Sequence, residues 1–370
     1  MRAAVLHGPG ADLVVEDVVL DGPGPDEVRV RIVAAGVCHS DVMTATGAMP
    51  HPLPVVLGHE GAGVVEQVGS EVQRLRPGEH VILHWSPSCG ECRLCRLGRS
   101  NLCSRYAPRV LGGTLFDGTT RLHTRGGADV FHYSFLSTFA EDAVVPQSCC
   151  VPIDKEMPLQ QASLIGCCVM TGFGAAVNTA RVAPGSTVVV FGAGGVGINA
   201  VQGSSIAGAD RIIAIDPEQD KRGLSERFGA TDFLDPSEVD VVEAVADLTE
   251  GYGADIVIEA SGNPGAQAAA YAAARRDGTV VYTGVTPVGT MLTLPAPPIP
   301  REERTITGSF FGGANPQRDF PMIVSLYRRG RLLLDELVSR VIALDEINDA
   351  VNGPTVGIRT VIDMTEERAR

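Results

Sequence analysis

VVVFGAGGVG, residues 188–197, decides the fold because an apolar run leads directly into the spacing G-x-G-x-x-G. A stretch compatible with a helix follows. In a strand–turn–helix unit these glycines permit a tight turn, a close approach of the backbone to a pyrophosphate, and close packing of helix on strand. The N-terminus of the helix then faces the phosphates. The motif predicts a dinucleotide site that includes Gly192, Gly194, Gly195, Val196 and Gly197.

Asp216 identifies the dinucleotide. It ends the next apolar run, RIIAID, nineteen residues after Gly197. An acid at this place accepts hydrogen bonds from the adenine ribose hydroxyls and repels a 2′-phosphate. Glu218 and Asp220 add negative charge nearby, so the sequence favours NAD over NADP.

The rest of the chain shows two different patterns of apolar residues. From about residue 158, apolar runs such as ADIVIEAS and GTVVYTGVT alternate with stretches of helical spacing, which is typical of a doubly wound parallel sheet. Before about residue 150, short alternating runs such as EVRVRIVAAGV are broken repeatedly by Gly and Pro and indicate β-rich structure. We expect an α/β protein of two domains, as 370 residues also suggest.

The composition excludes several classes of partner. The net charge of −14 opposes binding to nucleic acid, which requires Lys and Arg to neutralise phosphates. Residues 1–20 alternate apolar and polar positions and contain acids, unlike a signal peptide. No uninterrupted apolar run reaches the length of a membrane span, about 18 residues. We therefore expect a cytoplasmic protein that contacts neither nucleic acid nor membrane.

Four of the nine cysteines form the segment CGECRLCRLGRSNLC. Their spacing, C-x2-C-x2-C-x7-C, suits one tetrahedral zinc ion with every coordination position filled by protein, which is the arrangement of a structural site. A four-cysteine iron–sulfur cluster and free buried thiols are the competing interpretations. We predict a structural zinc held by Cys89, Cys92, Cys95 and Cys103.

Three further segments, AAGVCHSD, VLGHEGAGVV and SLIGCCVMTG, offer Cys38, His59 and Cys167 as ligands of a second metal. Taken singly, a buried Cys is usually a small apolar residue. In this order, with the four-cysteine segment between the second and third, the segments resemble the zinc-dependent medium-chain alcohol dehydrogenases over nearly the whole chain. The resemblance implies that Cys38, His59 and Cys167 bind a catalytic zinc whose fourth position takes the substrate.

The resemblance also implies the organisation of the chain. Residues 1–168 would form a GroES-like, β-rich catalytic domain with the structural zinc lobe at 86–105. Residues 169–310 would form the NAD-binding Rossmann domain, and residues 311–370 would return to the catalytic domain. Two zinc ions per subunit and NAD are the cofactors so implied, and a homodimer or homotetramer is the implied assembly.

Further site residues follow from the same resemblance. Ser40 would take the proton of a zinc-bound alcohol, whose alkoxide then releases hydride to NAD. Asp41 would hydrogen-bond His59 and fix its tautomer, and Glu60 would lie behind the zinc as a supporting or alternate ligand. The implied cofactor contacts are His39 and Arg359 at phosphate, Thr171 against the nicotinamide and Lys221 at the adenosine ribose; Val285 is a further implied cofactor contact.

The sequence departs from its relatives at several positions. Met43 replaces a proton-relaying His that several members carry, so we expect the proton to leave through Ser40, the cofactor ribose and water. Cys168 follows Cys167 where relatives usually carry Gly, which leaves open which sulfur binds the metal. The predicted substrate pocket is apolar and is lined by Met49, Trp85, Tyr133, Phe310 and Phe311. It suits a medium-sized primary alcohol, aromatic or aliphatic.

Alternative functions remain open at this point. The nearest branch in general sequence is the glutathione-dependent formaldehyde dehydrogenases, but their carboxylate-binding arginine aligns with Ala107, between Arg105 and Arg109. Oxidation of a formaldehyde–thiol adduct is therefore the main alternative. A variant that never releases its NAD and a non-catalytic member of the fold are the others.

Overall fold

The structure, a computed structural model, describes residues 1–353 and 357–365. Its strands within these residues are β1 (Arg2–Leu6), β2 (Val14–Leu20), β3 (Glu27–Gly36), β4 (Val55–Val56), β5 (Glu60–Val68), β6 (His80–Leu83), β7 (Leu122–Thr124), β8 (Asp129–His132), β9 (Asp142–Pro146), β10 (Cys150–Ile153), β11 (Thr187–Phe191), β12 (Arg211–Ile215), β13 (Asp232–Leu234), β14 (Ala254–Glu259), β15 (Ala274–Tyr282), β16 (Thr305–Gly308), β17 (Val338–Ile342) and β18 (Arg359–Asp363).

The α-helices are α1 (His39–Ala45), α2 (Arg93–Arg96), α3 (Leu159–Leu164), α4 (Met170–Gly174), α5 (Gly195–Ala207), α6 (Lys221–Arg227), α7 (Val241–Leu248), α8 (Pro264–Ala273), α9 (Pro298–Glu302), α10 (Pro316–Arg328) and α11 (Ile347–Val351).

The chain divides into two compact units. The first comprises Met1–Cys167, Asn315–Ser325 and Leu334–Arg370, and the second comprises Cys168–Ala314 and Leu326–Leu333. The sequence prediction gave all of residues 311–370 to the first domain, whereas residues 311–314 and Leu326–Leu333 cluster with the second unit. An apolar pattern identifies a helix or strand but not the core against which that element packs.

The second unit is built on a six-stranded sheet with the order β13-β12-β11-β14-β15-β16, and all its strand pairs are parallel. This is the doubly wound order 3-2-1-4-5-6 of dinucleotide-binding sheets. The valines of β11 are fully buried because helices cover both faces of such a sheet. The carboxyl ends of β11 and β12 bring the glycine turn and Asp216 to one edge.

The first unit contains a closed barrel, β1-β2-β7-β8-β4, and a seven-stranded sheet in which β3 pairs with β5, β9 and β18. The pairing of β3 with β5 sets Gly36 opposite Glu60, so the residues just beyond that pair, Cys38 and His59, come close together. A Cβ at position 36 would lie 2.2 Å from a carboxylate oxygen of Glu60, so a larger residue there would displace that side chain.

A 22-residue helical run, Leu159–Ala180, is long and apolar enough to cross a membrane, although polar residues such as Gln160, Gln161 and Asn178 interrupt its sequence. However, 83% of its most apolar window is buried inside the protein, which identifies it as a core helix. The run opens with α3 and widens to a π-helical turn at Ile165–Val169, which carries Cys167. Such widened turns are frequent at functional sites.

Candidate metal and cofactor sites

Four buried side chains converge in the first unit. One sulfur each from Cys38 and Cys167, one nitrogen of His59 and one carboxylate oxygen of Glu60 all lie within 4.8 Å of one another. Two thiolates, an imidazole and a carboxylate are the donors that zinc prefers, and zinc–sulfur bonds of about 2.3 Å put two ligand sulfurs about 3.8 Å apart. The cluster therefore fits zinc. Of the two adjacent cysteines, the cluster among the described residues contains Cys167 and not Cys168, which favours Cys167 as the ligand.

Asp41 organises this cluster from the first turn of α1. Its Oδ1 lies 3.0 Å from His59 Nδ1 and accepts the Gly58 amide at 3.2 Å, and its Oδ2 accepts the Cys38 amide at 2.9 Å. The His59 nitrogen that faces Asp41 carries the proton, which leaves the other nitrogen for a metal. One buried carboxylate thus orients two predicted ligands.

The electrostatic environment of Cys38 supports a bound cation. The hydrogen bond with Cys167 lowers the pKa of Cys38 well below its ordinary value, and Arg359 and His59 lower it further. Burial alone would lower the pKa of His59, but Asp41 and Cys38 raise it well above its ordinary value. Burial raises the pKa of Glu60 to about 7. The cysteine thus favours its thiolate form, which is the form that binds metal.

The four-cysteine segment also closes on itself. Sulfur atoms of Cys89, Cys92, Cys95 and Cys103 lie within 4.8 Å of one another, and those of Cys89 and Cys95 are 4.0 Å apart. Backbone amides of Cys89, Cys92 and Cys95 donate to neighbouring cysteine sulfurs at 3.3–3.4 Å. Such bonds stabilise thiolates, so four sulfurs could fill the coordination sphere of one zinc ion.

Ser40 and the aromatic residues lie next to the cluster. The Ser40 hydroxyl is 3.9 Å from the Cys38 sulfur and is partly exposed. The rings of Trp85 and Tyr133 meet the His59 ring edge-on, with centroids 6.5 and 5.6 Å away. Tyr133 is only 1% exposed, and burial raises the pKa of its hydroxyl well above 10. It is therefore a buried, protonated hydrogen-bonding group, and its predicted contribution to the substrate pocket stays a prediction.

The other predicted pocket residues are divided between the units. Met49 packs, partly buried, against the core of the first unit. Phe310 and Phe311 belong to the second unit, where Phe310 is 41% exposed and Phe311 is buried. Their predicted contribution to one substrate pocket stays a prediction.

The glycine turn of the second unit fits a dinucleotide. Gly192 has a φ of +87°, and a Cβ at Gly197 would collide with the Gly192 carbonyl oxygen. A Cβ at Gly194 would meet nothing within 4 Å, so the backbone there borders open space at the N-terminus of α5. These are the three properties that a pyrophosphate-binding turn needs.

Asp216 fixes the same turn from β12. Its Oδ2 accepts the Ala193 amide at 2.7 Å, and Lys221 Nζ lies 3.2 and 3.3 Å from its two oxygens. Lys221 also contacts Glu218 at 3.1 Å. Because Asp216 and Glu218 both pair with Lys221, the negative charge beside the glycine turn disfavours the 2′-phosphate of NADP.

The remaining predicted cofactor residues occupy different environments. Thr171 is buried, and its hydroxyl has no hydrogen-bond partner within residues 1–353 and 357–365. Buried polar groups are normally hydrogen-bonded, so this hydroxyl is suited to bind a ligand. His39 and Val285 are exposed. The Arg359 guanidinium lies 3.6 Å from Glu60 and 3.7 Å from the Cys38 sulfur. Its positive charge therefore lies beside the proposed zinc ligands, a contact that the sequence prediction missed.

Sequence reasoning also missed Thr44. Its hydroxyl lies one helical turn after Ser40 on α1, 3.0 Å from the Ser40 carbonyl oxygen and 3.1 Å from the Tyr133 hydroxyl. The i, i+4 spacing from Ser40 is visible in the sequence, but a threonine at that spacing on a helix usually bonds only to its own helix.

Comparisons with known proteins agree with these two sites. Residues 24–155 match the model described as the alcohol dehydrogenase GroES-like domain, and residues 195–329 match that of the zinc-binding dehydrogenases. The chain is 41% identical to the NDMA-dependent alcohol dehydrogenase of Amycolatopsis methanolica over 94% of each chain. It is 38% identical to S-(hydroxymethyl)glutathione dehydrogenase of Saccharomyces cerevisiae, covering 98% of this chain and 96% of that one. The crystal structure of benzyl alcohol dehydrogenase from Acinetobacter calcoaceticus superposes with a TM-score of 0.91 at 32% identity, covering 98% of both chains.

Proposed function

Because the chain belongs to the zinc-binding alcohol dehydrogenase family, we propose that it oxidises a primary alcohol to an aldehyde, or catalyses the reverse reaction, with NAD as the hydride carrier. The observation that carries the proposal is the buried cluster of Cys38, His59, Glu60 and Cys167 donors within 4.8 Å of one another. Two zinc ions per chain are part of it, the second held by the four-cysteine lobe.

The residues of the cluster have different proposed roles, as zinc ligands or as groups that orient the ligands. Cys38, His59 and Cys167 would hold the catalytic zinc, and Glu60 would lie behind it with its charge balanced by Arg359. Asp41 keeps His59 in the tautomer that presents the other nitrogen. Zinc, when bound, supplies a Lewis acid that lowers the pKa of a ligated alcohol.

Ser40 accepts the proton of the alcohol in this proposal. Its hydroxyl is the side chain of α1 that lies beside the Cys38 sulfur. A hydroxyl can accept one proton while passing on its own, provided that both partners are within hydrogen-bond reach. NAD, when bound, supplies the hydride acceptor. Its proposed contacts are the glycine turn, Asp216, Lys221, Thr171, Val285 and His39.

The proposed substrate is a medium-sized, apolar primary alcohol such as benzyl alcohol. Trp85 and Tyr133 surround His59 with aromatic rings, and the structural relative from Acinetobacter is named for benzyl alcohol. A thiol adduct carrying a carboxylate has weaker support. Both terminal nitrogens of Arg109 donate to the carbonyls of Leu115 and Phe116, and exposed Arg105 lies over the ring of Tyr106.

A second candidate keeps the same chemistry but not the exchange of cofactor. The relative named for NDMA supports a variant in which NAD(H) stays bound between turnovers. Purified protein that releases stoichiometric NAD(H) on denaturation, and that turns over alcohol only when NDMA is added, would support this variant.

We also propose a cytoplasmic homodimer. β16 is the last strand of its sheet, and within the described residues only β15 pairs with it. Ile306 on this strand is exposed, and Val288 and Met291 in the preceding loop are about four-fifths exposed. A second copy pairing along β16 would cover both the strand edge and this apolar surface. Ile306→Lys should convert a dimer into a monomer in light scattering.

The variant His59→Ala tests the proposal. It should lower the zinc content from two ions per chain to one and abolish alcohol oxidation, while NAD binding is unchanged. His123→Ala is the matched control, because His123 pairs with Asp21 and Asp129 at the surface and should keep both zinc ions and full activity. Retained turnover in the zinc-depleted His59→Ala variant would refute the proposed site.

A further inference from the structure

Three oxygen atoms form a buried triangle beneath the proposed proton acceptor. The Tyr133 hydroxyl is 3.1 Å from the Ser40 carbonyl oxygen and 3.1 Å from the Thr44 hydroxyl, which in turn is 3.0 Å from the same carbonyl oxygen. Tyr133 and Thr44 are at most 3% exposed. At a buried position the loss of a hydrogen bond leaves a polar group without a partner, because water cannot replace the bond.

The directions of these bonds follow from the available protons. The Ser40 carbonyl has no proton, so Tyr133 donates to it. Thr44 has one proton and two acceptors in reach, the Ser40 carbonyl oxygen and the Tyr133 oxygen. Tyr133 reaches this point from a segment 93 residues further along the chain. The backbone of Ser40 is thus held by a second part of the fold as well as by its own helix.

The ring of Tyr133 is held separately from its hydroxyl. It meets the His51 ring with centroids 5.3 Å apart and the His59 ring at 5.6 Å. A phenylalanine at this position would keep both ring contacts and lose only the two hydrogen bonds. The contribution of the hydroxyl can therefore be measured without removing the packing.

We propose that Tyr133, supported by Thr44, is the positioning residue that aims the Ser40 hydroxyl at the alcohol oxygen. The inference rests on the proposed function of Ser40 as the proton acceptor. Proton transfer needs the two oxygens within about 2.6–3.2 Å. Ser40 lies in the first turn of the seven-residue helix α1, where its own helix constrains it least, so an anchor from outside has most effect there.

A double-mutant cycle tests the proposal. Tyr133→Phe is made in the wild type and in the Ser40→Ala variant, and the single-turnover rate of NADH formation is measured with the zinc-loaded enzyme, NAD and benzyl alcohol. This rate isolates chemistry from product release. We expect Tyr133→Phe to slow the wild type about tenfold, which is less than the factor of about 10²–10⁴ that general acid–base catalysis supplies in full, because the variant misplaces the Ser40 hydroxyl without removing it. In the Ser40→Ala background it should change the rate by less than about twofold, since coupled residues are not additive.

Two additional readouts separate positioning from stability. The solvent deuterium isotope effect should rise in Tyr133→Phe and stay constant when the same change is made in the Ser40→Ala background. Thr44→Val should reproduce a smaller part of the rate loss. Tyr271→Phe is the matched control, because this equally buried tyrosine also donates to a backbone carbonyl, that of Pro295, but in the second unit, and its loss should leave the rate unchanged.

The outcomes distinguish the inference from the function on which it rests. An equal rate loss from Tyr133→Phe in both backgrounds, with Ser40→Ala itself slow, would overturn the positioning role alone. A Ser40→Ala variant as fast as the wild type would overturn both the role of Ser40 and the inference.

Discussion

Asp41 and His59 are joined by a hydrogen bond of 3.0 Å between a fully buried carboxylate and the imidazole Nδ1. The same carboxylate accepts the amides of Cys38 and Gly58, so it links the two chain segments that supply two of the proposed zinc ligands. The arrangement fixes the imidazole before any metal binds. Metal affinity should therefore depend on Asp41 although it is not itself a ligand.

Asp41→Asn should lower the affinity of the catalytic site for zinc by about 10- to 100-fold, the usual cost of losing such a partner. The asparagine amide lacks the charge and turns an N–H group toward at least one donor that Asp41 now satisfies. Competition with a chelator measures the affinity of each site. Zinc in the four-cysteine lobe should be unaffected, and an unchanged catalytic-site affinity would contradict this account of Asp41.

Cys92→Ser should remove one zinc ion and lower the melting temperature, while the remaining folded protein keeps its catalytic zinc and its activity. The reason is that the four-cysteine lobe leaves no position for a substrate and serves only to hold its loop. Cys149→Ala is the matched control, because Cys149 is buried outside both clusters and its loss should keep two zinc ions per chain. Loss of alcohol turnover in proportion to the lobe zinc would argue against a structural role.

Asp216→Ser should shift the preference from NAD toward NADP by about 10- to 100-fold in kcat/KM, which corresponds to roughly 1.4–2.7 kcal/mol. The change removes the carboxylate that would repel a 2′-phosphate and releases Lys221 to pair with it. Parallel kinetics with the two cofactors measure the shift. Asp220→Ser is a suitable control, and an equal shift from that variant would show that only the general charge of the region matters.

His132→Gln should make stability less sensitive to acid. His132 is buried with its Nε2 accepting the Arg121 amide, and burial lowers its pKa from 6.5 to about 3. The unfolded chain therefore binds a proton below pH 6.5 that the folded chain does not bind, so the stability present above 6.5 is lost as the pH falls toward 3. Between pH 6.5 and 4.5 the wild type should lose about 2–3 kcal/mol more of its unfolding free energy than the variant, as urea titrations would measure. Equal losses would show that His132 titrates normally in the folded state.

The cofactor site of the second unit was largely predictable from sequence because the residues that indicate it lie close together in the chain. An apolar strand, three spaced glycines and an acid at the end of the next strand lie within 29 residues, from Val188 to Asp216. The four-cysteine lobe is local in the same sense. For these sites the residue types and their spacing already contain the geometry.

The environment of Ser40 was not predictable, since its contacts come from distant parts of the chain. Tyr133 was predicted to line the pocket, and its hydrogen bond to the Ser40 carbonyl was not part of that prediction. Arg359 was assigned to a cofactor phosphate but contacts Glu60 and Cys38, the latter 321 residues away. Apolar patterns and motifs carry no information about such pairs until the packing of β3, β5 and β18 is known.

The most direct test of the proposed function is the formation of NADH from NAD⁺ by the zinc-loaded protein over a panel of primary alcohols. Benzyl alcohol and medium-chain aliphatic alcohols form the panel, with formaldehyde, with and without glutathione, beside them and NDMA added to a duplicate set. The account predicts NADH formation with the free alcohols and no requirement for thiol. Activity confined to formaldehyde with glutathione, or no turnover in either set, would contradict it.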